Sequence, residues 1–375
     1  MISDNGWMFL LNSLTVGGSE RKTVNISNYL VSKGYEIHVG YLSKPETLLE
    51  SIDDDISTYF IGRKGKFDLS VPQKLRNYWV NNNISAVWCV NPYPALYAYF
   101  AARPLTDRPR LIASTNTTKF RSSYERLQML AYAPVFRRFD ALVFGSELQQ
   151  RQWVEKFSLS TVDHRVIHNG VDTSVFKPFN SNQSRTGVRE RFGIKADEIC
   201  LGSVAQFRPE KAHTDLITAL EKVLKQGISC HLLLVGEGST KTAMQQLVAT
   251  KGLNERVTFL GTQKDVRESL AAMDIFILAS TSVETFSNAA LEAMAMGTAV
   301  ILTRIGGAAE MMGEGDNGIL YEPGNIEELV SAICRLSDTP IRDRYARNAR
   351  TRVCDQFSVE RMANAYIATL ANTSL

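Results

Sequence analysis

The alternation of short apolar runs with amphipathic stretches constrains the fold of this chain most strongly. Trp7–Leu11, Ile37–Leu42 and Ala86–Val90 are strand-sized apolar runs, and Ser19–Lys33 is a predicted helix that is closed by Gly34. This order of elements is typical of α/β domains built on parallel sheets. The first half of the chain therefore predicts one doubly wound domain.

A second series of the same kind begins near residue 199. Its helices are expected at Glu210–Gln226 and Asn325–Leu336. Its strands are expected at Cys200–Val204, Cys230–Val235, Val257–Leu260, Ile275–Leu278 and Ala299–Leu302. Between the two series, Val162–Ser184 contains Asn-Gly, Pro and several Ser and Asn residues and is predicted to be a linker. Two domains joined there would leave a cleft between the carboxyl ends of two sheets, where ligands bind.

The length and composition exclude several classes of protein. The chain has 375 residues and an apolar fraction of 44%, which suits globular domains of roughly 150 residues each. No apolar run approaches the roughly 20 residues of a membrane-spanning helix, and no signal peptide is visible. We therefore expect a soluble, cytoplasmic protein.

No metal site is evident in the sequence. The only clustered acids, Asp53–Asp55, precede a strand-like segment, so an oxygen-ligand Mg²⁺ site is not expected. The five cysteines are far apart and indicate buried thiols in a reducing compartment. They are Cys89, Cys200, Cys230, Cys334 and Cys354. We expect neither a metal nor a cofactor.

The N-terminal half carries an excess of positive charge. Residues 1–170 contain 20 basic and 15 acidic side chains, whereas residues 171–375 contain 22 and 24. Eight of the basic residues lie within 103–138, around the mostly apolar run Leu127–Phe136. This region is either a solvated surface over a buried core helix or a segment that meets an anionic membrane surface. Aromatic residues within a basic groove, as nucleic-acid binding requires, are not evident.

The segment from Ser280 to Gly297 is the most informative for chemistry. It contains Glu284 and Glu292, eight residues apart, and a helix predicted to start near Ser287. The first N–H groups of such a helix form an anion site suited to a diphosphate. Asn288 and Glu292 share a face of this helix, and the carboxylate could accept hydrogen bonds from ribose hydroxyls. Taken alone, these residues have a simpler interpretation. Glu284 could only interact with the dipole at the start of the helix, and Glu292 could be a solvated side chain.

Other polar motifs follow the neighbouring strands. Arg208 and Lys211 lie between a strand and a helix, where two cations suit phosphate charge. Gly236 and Gly238 follow the next strand along the chain, and Gly306-Gly307 follows the strand Ala299–Leu302.

Together these motifs resemble the retaining glycosyltransferases of family 4. The resemblance covers most of residues 166–323 and is specific because five motifs share their order and spacing. They are N-G-V-D at 169–172, R-P-E-K at 208–211, G-E-G at 236–238, E-x7-E at 284–292 with A-M-A-x-G after it, and G-G-x-x-E at 306–310. In the N-terminal half, the match rests on Gly17-Gly18-Ser19-Glu20, which is similar to the family's G-G-x-E at the first strand–helix turn.

The resemblance implies an α/β fold of the GT-B class, with two Rossmann-like, doubly wound parallel-sheet domains facing across a cleft. Residues 1–168 would form the acceptor-binding domain, and residues 169–356 would bind the nucleotide-sugar donor. A C-terminal helix within 357–375 is expected to pack back on the N-terminal domain.

The resemblance also implies roles for individual residues. Glu292 would bind the ribose, Glu284 would lie against the hydroxyls of the donor sugar, and Lys211 would meet the diphosphate. The family generally needs no divalent metal, so cations and helix N-termini would stabilise the departing diphosphate. The donor site would be completed by Gly17, Gly18, Gln206, Gly236 and the backbone of Phe286, Ser287 and Asn288.

Two positions depart from the family pattern. An arginine usually stands five residues before the lysine, but Gln206 stands there, and Arg208 either supplies the missing charge or points to solvent. A histidine often follows the strand that corresponds to Leu111–Ser114, but Thr115 and Asn116 follow it here as acceptor-side residues. Either could donate a hydrogen bond to sugar, and neither is a strong base. Retention through a front-face mechanism needs no protein base, because the leaving phosphate can take the proton of the acceptor.

The sequence therefore predicts a glycosyltransferase that acts with retention on a nucleotide sugar, with UDP-sugars favoured and GDP-mannose next. The expected acceptor is a growing cell-surface glycan, such as a polysaccharide or lipopolysaccharide, or a lipid-linked saccharide. The enzyme would lie in the cytoplasm. If residues 103–138 bind the membrane, the enzyme would lie on its inner face.

Two alternatives stay open. One is a non-catalytic sugar-nucleotide-binding partner of a transferase, which the departures at Gln206 and Asn116 favour. The other is a Rossmann-type oxidoreductase, which would need a G-x-G-x-x-G motif that Val16–Glu20 lacks.

Overall fold

Each half of the chain folds around its own parallel sheet. The computed structural model describes residues 6–15, 17–65, 67–115, 123–179, 182–282 and 284–373. The chain divides into unit 1, made of residues 1–169 and 359–375, and unit 2, made of residues 170–358.

The sheet of unit 1 has seven strands in the order β3-β2-β1-β4-β5-β6-β7, and its pairings are parallel. The strands are β1 (Gly6–Leu11), β2 (Ile37–Tyr41), β3 (Ser57–Phe60), β4 (Ile84–Val90), β5 (Arg110–Thr115), β6 (Ala141–Phe144) and β7 (Asp163–Val166). The helices are α1 (Gly18–Ser32), α2 (Ser70–Asn81), α3 (Pro92–Ala102), α4 (Ser123–Phe136), α5 (Glu147–Phe157) and, from the end of the chain, α14 (Val359–Leu370).

The sheet of unit 2 has six parallel strands in the order β10-β9-β8-β11-β12-β13. They are β8 (Ile199–Val204), β9 (Cys230–Val235), β10 (Val257–Gly261), β11 (Ile275–Leu278), β12 (Ala299–Thr303) and β13 (Ile319–Tyr321). The helices are α6 (Asn182–Arg191), α7 (His213–Lys225), α8 (Lys241–Thr250), α9 (Arg267–Ala272), α10 (Asn288–Ala295), α11 (Ala308–Met312), α12 (Ile326–Ser337) and α13 (Thr339–Gln356).

Helices cover both faces of each sheet, which explains why the central strands are continuous apolar runs. In β1, Met8 and Leu10 belong to the core on one face, whereas Trp7, Phe9 and Leu11 belong to the core on the other. Successive side chains of a strand point to opposite faces, so a central strand must be apolar on both. The doubly wound prediction is thus confirmed.

The strand order of each sheet reverses at one point. In unit 1 the reversal lies between β1 and β4, and in unit 2 it lies between β8 and β11. The loops that leave such a pair of strands diverge and open a crevice at the carboxyl edge, where doubly wound folds bind ligands. Gly17 and Gly18 follow β1, Lys211 follows β8, and Glu284 follows β11.

Three features differ from the sequence prediction. The predicted linker Val162–Ser184 contains β7, which pairs with β6 at the edge of the sheet, and it also contains the start of α6. The edge strand β13 was not expected, and β3 is the strand-like segment that follows Asp53–Asp55. The helix expected at Glu210–Gln226 begins at His213, because a 3₁₀ turn (Pro209–Lys211) precedes it and Ala212 has a left-handed φ of 47°.

The last helix of the chain completes the core of unit 1. In α14, Tyr366 stacks on Trp88 of β4, with ring centroids 4.2 Å apart, and also contacts Phe9 of β1. The guanidinium of Arg110 donates a hydrogen bond to the carbonyl oxygen of Thr369 at 3.2 Å. Residues that come after the whole of unit 2 therefore close the core of unit 1.

The apolar run Leu127–Phe136 lies in α4. Its Met129, Ala133 and Phe136 are buried, whereas Leu130 is 55% exposed. No described helix is both long enough and apolar enough to span a bilayer. These three buried side chains pack in the core of unit 1, as one of the two expectations for the run required, whereas contact of the run with a membrane stays a prediction.

All five cysteines are free. Cys89, Cys200 and Cys230 are buried, as expected, but Cys334 and Cys354 are half-buried.

Candidate active site

Three side chains from two loops meet at the strand reversal of unit 2. Lys211 Nζ lies 2.6 Å from Glu284 Oε2 and also donates a hydrogen bond to Ser280 Oγ at 3.2 Å. The Ser280 hydroxyl donates to the same Glu284 oxygen at 3.2 Å, which closes a triangle. The side chains of Lys211 and Glu284 are 20% and 18% exposed, so the ion pair is largely desolvated but reaches solvent.

Backbone and hydroxyl contacts hold the two loops together. The Thr281 N–H donates to the carbonyl oxygen of Glu210 at 2.8 Å, which joins the loop after β8 to the loop after β11. The Thr303 hydroxyl, at the end of β12, donates to the carbonyl oxygen of Ser280 at 2.6 Å. The triangle is therefore fixed by three neighbouring strand ends.

The loop that carries Glu284 packs directly against the glycine turn after β12. Gly306 has a left-handed φ of 55°, and a Cβ there would lie 2.0 Å from the carbonyl oxygen of Glu284. The Gly307 N–H donates to the carbonyl oxygen of Thr285 at 2.7 Å. Only glycine allows both the conformation and this close approach.

A second pair of glycines brings the loop after β9 against the loop after β8. Gly236 and Gly238 have φ values of 139° and 154°, and their Cβ atoms would clash with the backbone of Ala205 and Phe207. The Phe207 N–H donates to the carbonyl oxygen of Glu237 at 3.0 Å. Gly236 thus lies at the carboxyl edge, where it supports the loop that leads to Lys211.

Helix α10 begins where the sequence predicted. Ser287 is its N-cap, and the Ser287 side chain accepts a hydrogen bond from the Ala290 N–H at 3.2 Å. Asn288 and Glu292 are half-buried on the first turns of this helix. The Phe286 side chain is 4% exposed and packs against Phe357, so only its backbone is available to a ligand.

Gln206 and Arg208 are both exposed. Within the described part of the chain, neither side chain forms a hydrogen bond or an ion pair, whereas the carbonyl oxygen of Arg208 accepts from the Lys211 N–H at 3.0 Å. The structure therefore leaves both sequence interpretations of Arg208 open.

His213 packs in the core behind the site. It is 3% exposed and stacks on Phe207, with ring centroids 4.1 Å apart. Burial, with a smaller contribution from the nearby Lys211 charge, lowers the pKa of His213 to about 4. Its Nδ1 has no hydrogen-bond partner among the described residues. His213 is therefore neutral at pH 7 and packs in the core behind Lys211.

In unit 1, the carboxyl edge of the sheet carries the residues predicted for the acceptor side. Gly18 is the first residue of α1, and no described atom lies within 4 Å of the position that its Cβ would take. Asn91, directly after β4, has a left-handed φ of 74° that is uncommon for a residue with a side chain. Thr115 is buried, and its hydroxyl oxygen accepts from Gln149 Nε2 at 3.2 Å, which leaves its proton to donate. Asn116 lies outside the described residues.

Sequence reasoning missed Ser280 and Asn91. Ser280 could have been found as a hydroxyl at a strand end, four residues before a glutamate. Asn91 could have been found as an Asn-Pro pair after a central strand, because Asn tolerates a positive φ better than most residues. Within the described residues, no three His, Cys, Asp or Glu side chains form a group that could hold a metal ion.

Two family models match consecutive parts of the chain. The model described as Glycosyltransferase Family 4 matches residues 16–175, and the model described as Glycosyl transferases group 1 matches residues 184–352. The fold and the site thus define a glycosyltransferase with the GT-B fold. The chain belongs to glycosyltransferase family 4.

Similar proteins agree with this assignment. N-acetyl-alpha-D-glucosaminyl L-malate synthase of Bacillus anthracis is 27% identical over 94% of this chain and 93% of its own length. The lipopolysaccharide core biosynthesis glycosyltransferase LpsE of Rhizobium meliloti is 33% identical, over 49% of this chain and 53% of its own length.

Solved structures share the fold. Anabaena Alr3699/HepE in complex with UDP superposes with a TM-score of 0.87 at 22% identity, covering 98% of this chain and 100% of that one. A glycosyltransferase from Rickettsia africae gives a TM-score of 0.86 at 20% identity, covering 99% of both chains.

Proposed function

We propose that this glycosyltransferase transfers a sugar, with retention of anomeric configuration, from a nucleotide sugar to a glycan or lipid-linked saccharide. UDP-sugars are the favoured donors, with GDP-mannose next. The triangle of Lys211, Ser280 and Glu284 carries the proposal, because it places a cation and a carboxylate beside the N-terminus of α10, at the strand reversal of unit 2. A cation and a helix N-terminus suit a diphosphate, and a carboxylate suits sugar hydroxyls.

In the proposed donor site, each residue has one task. Lys211 and the N–H groups around Ser287 and Asn288 bind the diphosphate, with Arg208 adding charge from the rim. Glu284 accepts hydrogen bonds from the donor sugar, and Glu292 accepts them from the ribose. The backbone of Phe286 and the loops of Gln206 and Gly236 line the remainder. Unit 2 is the donor-binding unit in this proposal.

Unit 1 takes the acceptor. Gly17 and Gly18 let a ligand approach the start of α1, and Thr115 can donate a hydrogen bond to a sugar hydroxyl, as can Asn116. LpsE, as its name states, acts in lipopolysaccharide core biosynthesis. That relative supports a lipopolysaccharide or related cell-surface glycan as the product.

The proposed reaction needs no protein base. The bond between the anomeric carbon and the diphosphate oxygen breaks, and the acceptor oxygen forms its bond to the same face of that carbon. The acceptor proton passes to the departing diphosphate oxygen. Lys211 and the start of α10 stabilise the negative charge that grows on the diphosphate, which is why the reaction is proposed to proceed without a divalent metal.

Product stereochemistry tests the mechanism. An α-linked donor should give an α-linked product, which the NMR signal of the anomeric proton reports, and EDTA should leave the rate nearly unchanged. A β product would overturn retention. A rate that collapses with EDTA and returns with Mg²⁺ or Mn²⁺ would overturn metal independence.

A panel of UDP, GDP, ADP and dTDP in thermal unfolding would identify the base. A nucleotide at 100 times its Kd stabilises the folded state by about 2.7 kcal/mol, so the preferred base should raise Tm most. Hydrolysis of a nucleotide sugar without acceptor would distinguish a working transferase from a protein that only binds sugar nucleotides. The presence of Gln206 at the usual arginine position favours the second alternative, so this test is needed.

A further inference from the structure

The loop between β3 and α2, residues 61–69, exposes two large apolar side chains. Phe67 is 81% exposed and Leu69 is 91% exposed, the highest values among the exposed large apolar residues of the described chain. Phe60, at the end of β3 beside this loop, is 45% exposed. Apolar side chains this exposed, side by side, are typical of surfaces that meet a partner or a membrane.

The backbone of the described part of this loop is nonetheless held by hydrogen bonds. The Arg63 N–H donates to the carbonyl oxygen of Leu42 at 2.8 Å, and the Lys64 N–H donates to Asp68 Oδ2 at 2.8 Å. The Asp68 N–H donates to the Tyr97 hydroxyl at 3.1 Å. The scaffold therefore holds the loop in place while the side chains of Phe67 and Leu69 stay in solvent.

Positive charge surrounds these apolar side chains. Residues 60–74 contain four basic residues and one acidic residue, Asp68. Within the described residues, Arg63, Lys64 and Lys74 form no ion pair, and the guanidinium of Arg63 is held by neutral groups of Ser43, Gly65 and Tyr93. The carboxylate of Asp68 is occupied by its own loop, where hydrogen bonds from Ser70 and Lys64 lower its pKa to about 2.

In the described part of the basic region 103–138, three arginines are bound within unit 1, whereas Arg103 and Arg138 are exposed. Arg108 forms a two-bond ion pair with Asp140, at 2.6 and 2.8 Å. Arg137 donates to the carbonyl oxygens of Phe157 and Ser158. Arg110 is likewise bound to Thr369. These three cations are used within unit 1, and the guanidinium of Arg63 is likewise bound there, whereas Lys64 is exposed in the same loop as Phe67 and Leu69.

We propose that the loop 61–69 docks on an anionic lipid bilayer. Phe67 and Leu69 enter the boundary between headgroups and acyl chains, while Lys64 meets lipid phosphates and the charge of Arg63, which forms no ion pair among the described residues, adds to the attraction. An apolar insertion and a basic cluster together give stable peripheral binding that neither gives alone.

The position of the loop gives this docking a consequence. The sheet of unit 1 is parallel, so the loop after β3 lies at the same carboxyl edge as Gly17, Gly18 and Thr115. Docking would bring the proposed acceptor edge close to a bilayer that carries a lipid-linked acceptor. This consequence rests on the proposed function, whereas the docking itself does not.

Vesicle sedimentation of the full chain tests the proposal without donor or acceptor, so its outcome is independent of transferase activity. The wild type should bind vesicles of phosphatidylcholine and phosphatidylglycerol in equal parts, and should not bind phosphatidylcholine alone. The double variant Phe67→Ser/Leu69→Ser should bind at least about tenfold more weakly, because two apolar insertions are lost. Both side chains are exposed, so folding should be unchanged.

Two exposed residues elsewhere on unit 1 provide matched controls. Val80→Ser, on α2, and Leu130→Ser, on α4, should bind like the wild type; a loss for Leu130→Ser alone would place the docking surface in 103–138. In Phe67→Trp, the new indole should shift to shorter wavelength on anionic vesicles and be quenched by brominated lipid. Wild-type binding by the double variant would show that Phe67 and Leu69 do not insert, and would overturn the proposal.

Discussion

At the scale of single residues, the cation before the 3₁₀ turn, Arg208, and the cation at its end, Lys211, lie in different surroundings. Lys211 is bound to Glu284 and Ser280, whereas Arg208 is exposed and has no side-chain partner in the described structure. Lys211→Ala should lower kcat about 100-fold or more, because it removes the charge that we propose to stabilise the departing diphosphate. Arg208→Ala should lower kcat as strongly only if Arg208 replaces the arginine absent at Gln206.

Steady-state kinetics of both variants with one donor measures this difference. A mild effect of Lys211→Ala would contradict its role at the diphosphate. If Arg208→Ala is silent, Gln206→Arg should raise the rate or leave it unchanged.

The carboxylate of Glu292 gives a second test at this scale. Glu292→Ala should weaken nucleotide binding by about 1–3 kcal/mol, since a charged acceptor for ribose hydroxyls is lost. Isothermal titration with the preferred nucleoside diphosphate measures the affinity. Glu255→Ala, at an exposed position of unit 2, is the control. Equal affinities of the two variants would exclude Glu292 from the ribose site.

The buried His213 predicts a pH dependence of stability. Its pKa is about 4 in the folded state and 6.5 when unperturbed, so between these values the unfolded chain binds a proton that the folded chain does not. The stabilisation is fully present above pH 6.5 and is lost as the pH falls toward 4, by up to about 3 kcal/mol. His213→Phe keeps the stacking on Phe207 and should remove this part of the acid sensitivity.

Urea unfolding of the wild type and His213→Phe at pH 7.5 and pH 5 measures the effect. Because burial also lowers the pKa of His38 and His231, only the difference between the two proteins is informative. Identical pH dependence of both proteins would mean that folding does not lower the pKa of His213.

At the scale of elements, the glycine turn after β12 fixes the loop that carries Glu284. Gly306→Ala would place a Cβ against the carbonyl oxygen of Glu284, so that loop must move. Gly252→Ala is a matched control, because Gly252 also has a left-handed φ, of 67°, but no described atom lies within 4 Å of its Cβ position. Gly306→Ala should cost about 1–3 kcal/mol more stability than Gly252→Ala, and it should also weaken donor binding.

Chemical unfolding and nucleotide titration of the two variants give these quantities. Equal losses of stability in the two variants would show that only the left-handed backbone conformation requires glycine at Gly306. The close approach of the Glu284 carbonyl oxygen would then not contribute.

Elements buried on both faces could be predicted from the sequence, and so could the edge strand β10, whereas the edge strands β7 and β13 could not. β1 and β11 are fully buried, so each reads as an unbroken apolar run. β7 has no buried residue, and its sequence, Asp-His-Arg-Val, has no such run. Hydrophobic patterning detects burial, and an edge strand is stabilised mainly by its hydrogen bonds to one neighbour.

The candidate site also has a part that the sequence predicts and a part that it does not. The order of motifs predicted that Lys211 and Glu284 would lie at strand ends of one domain. Their contact with each other and with Ser280 depends on the left-handed conformation of Ala212 and on the hydrogen bond between Thr281 and Glu210. No pattern of residue types specifies either feature. Their roles in binding the donor stay predictions.

At the scale of the whole molecule, unit 1 depends on a helix from the far end of the chain. Tyr366→Ala should destabilise the protein by about 3–5 kcal/mol, because Trp88 and Phe9 lose the ring that covers them. Hydrogen exchange read by mass spectrometry should show lost protection in β1 and β4, whereas β8 and β11 should stay protected and nucleotide affinity should be retained. Uniform loss across both units would mean that the chain unfolds as one cooperative body.

The position of α14 also determines when unit 1 can finish folding during synthesis. Its seven strands leave the ribosome first, but the helix that covers Trp88 is made only after all of unit 2. At about 5–20 residues per second, the uncovered aromatic surface persists on the order of 10 to 40 seconds on each nascent chain. During that interval the surface is open to chaperones and to other nascent chains, and premature termination anywhere in unit 2 leaves a polypeptide that carries it permanently.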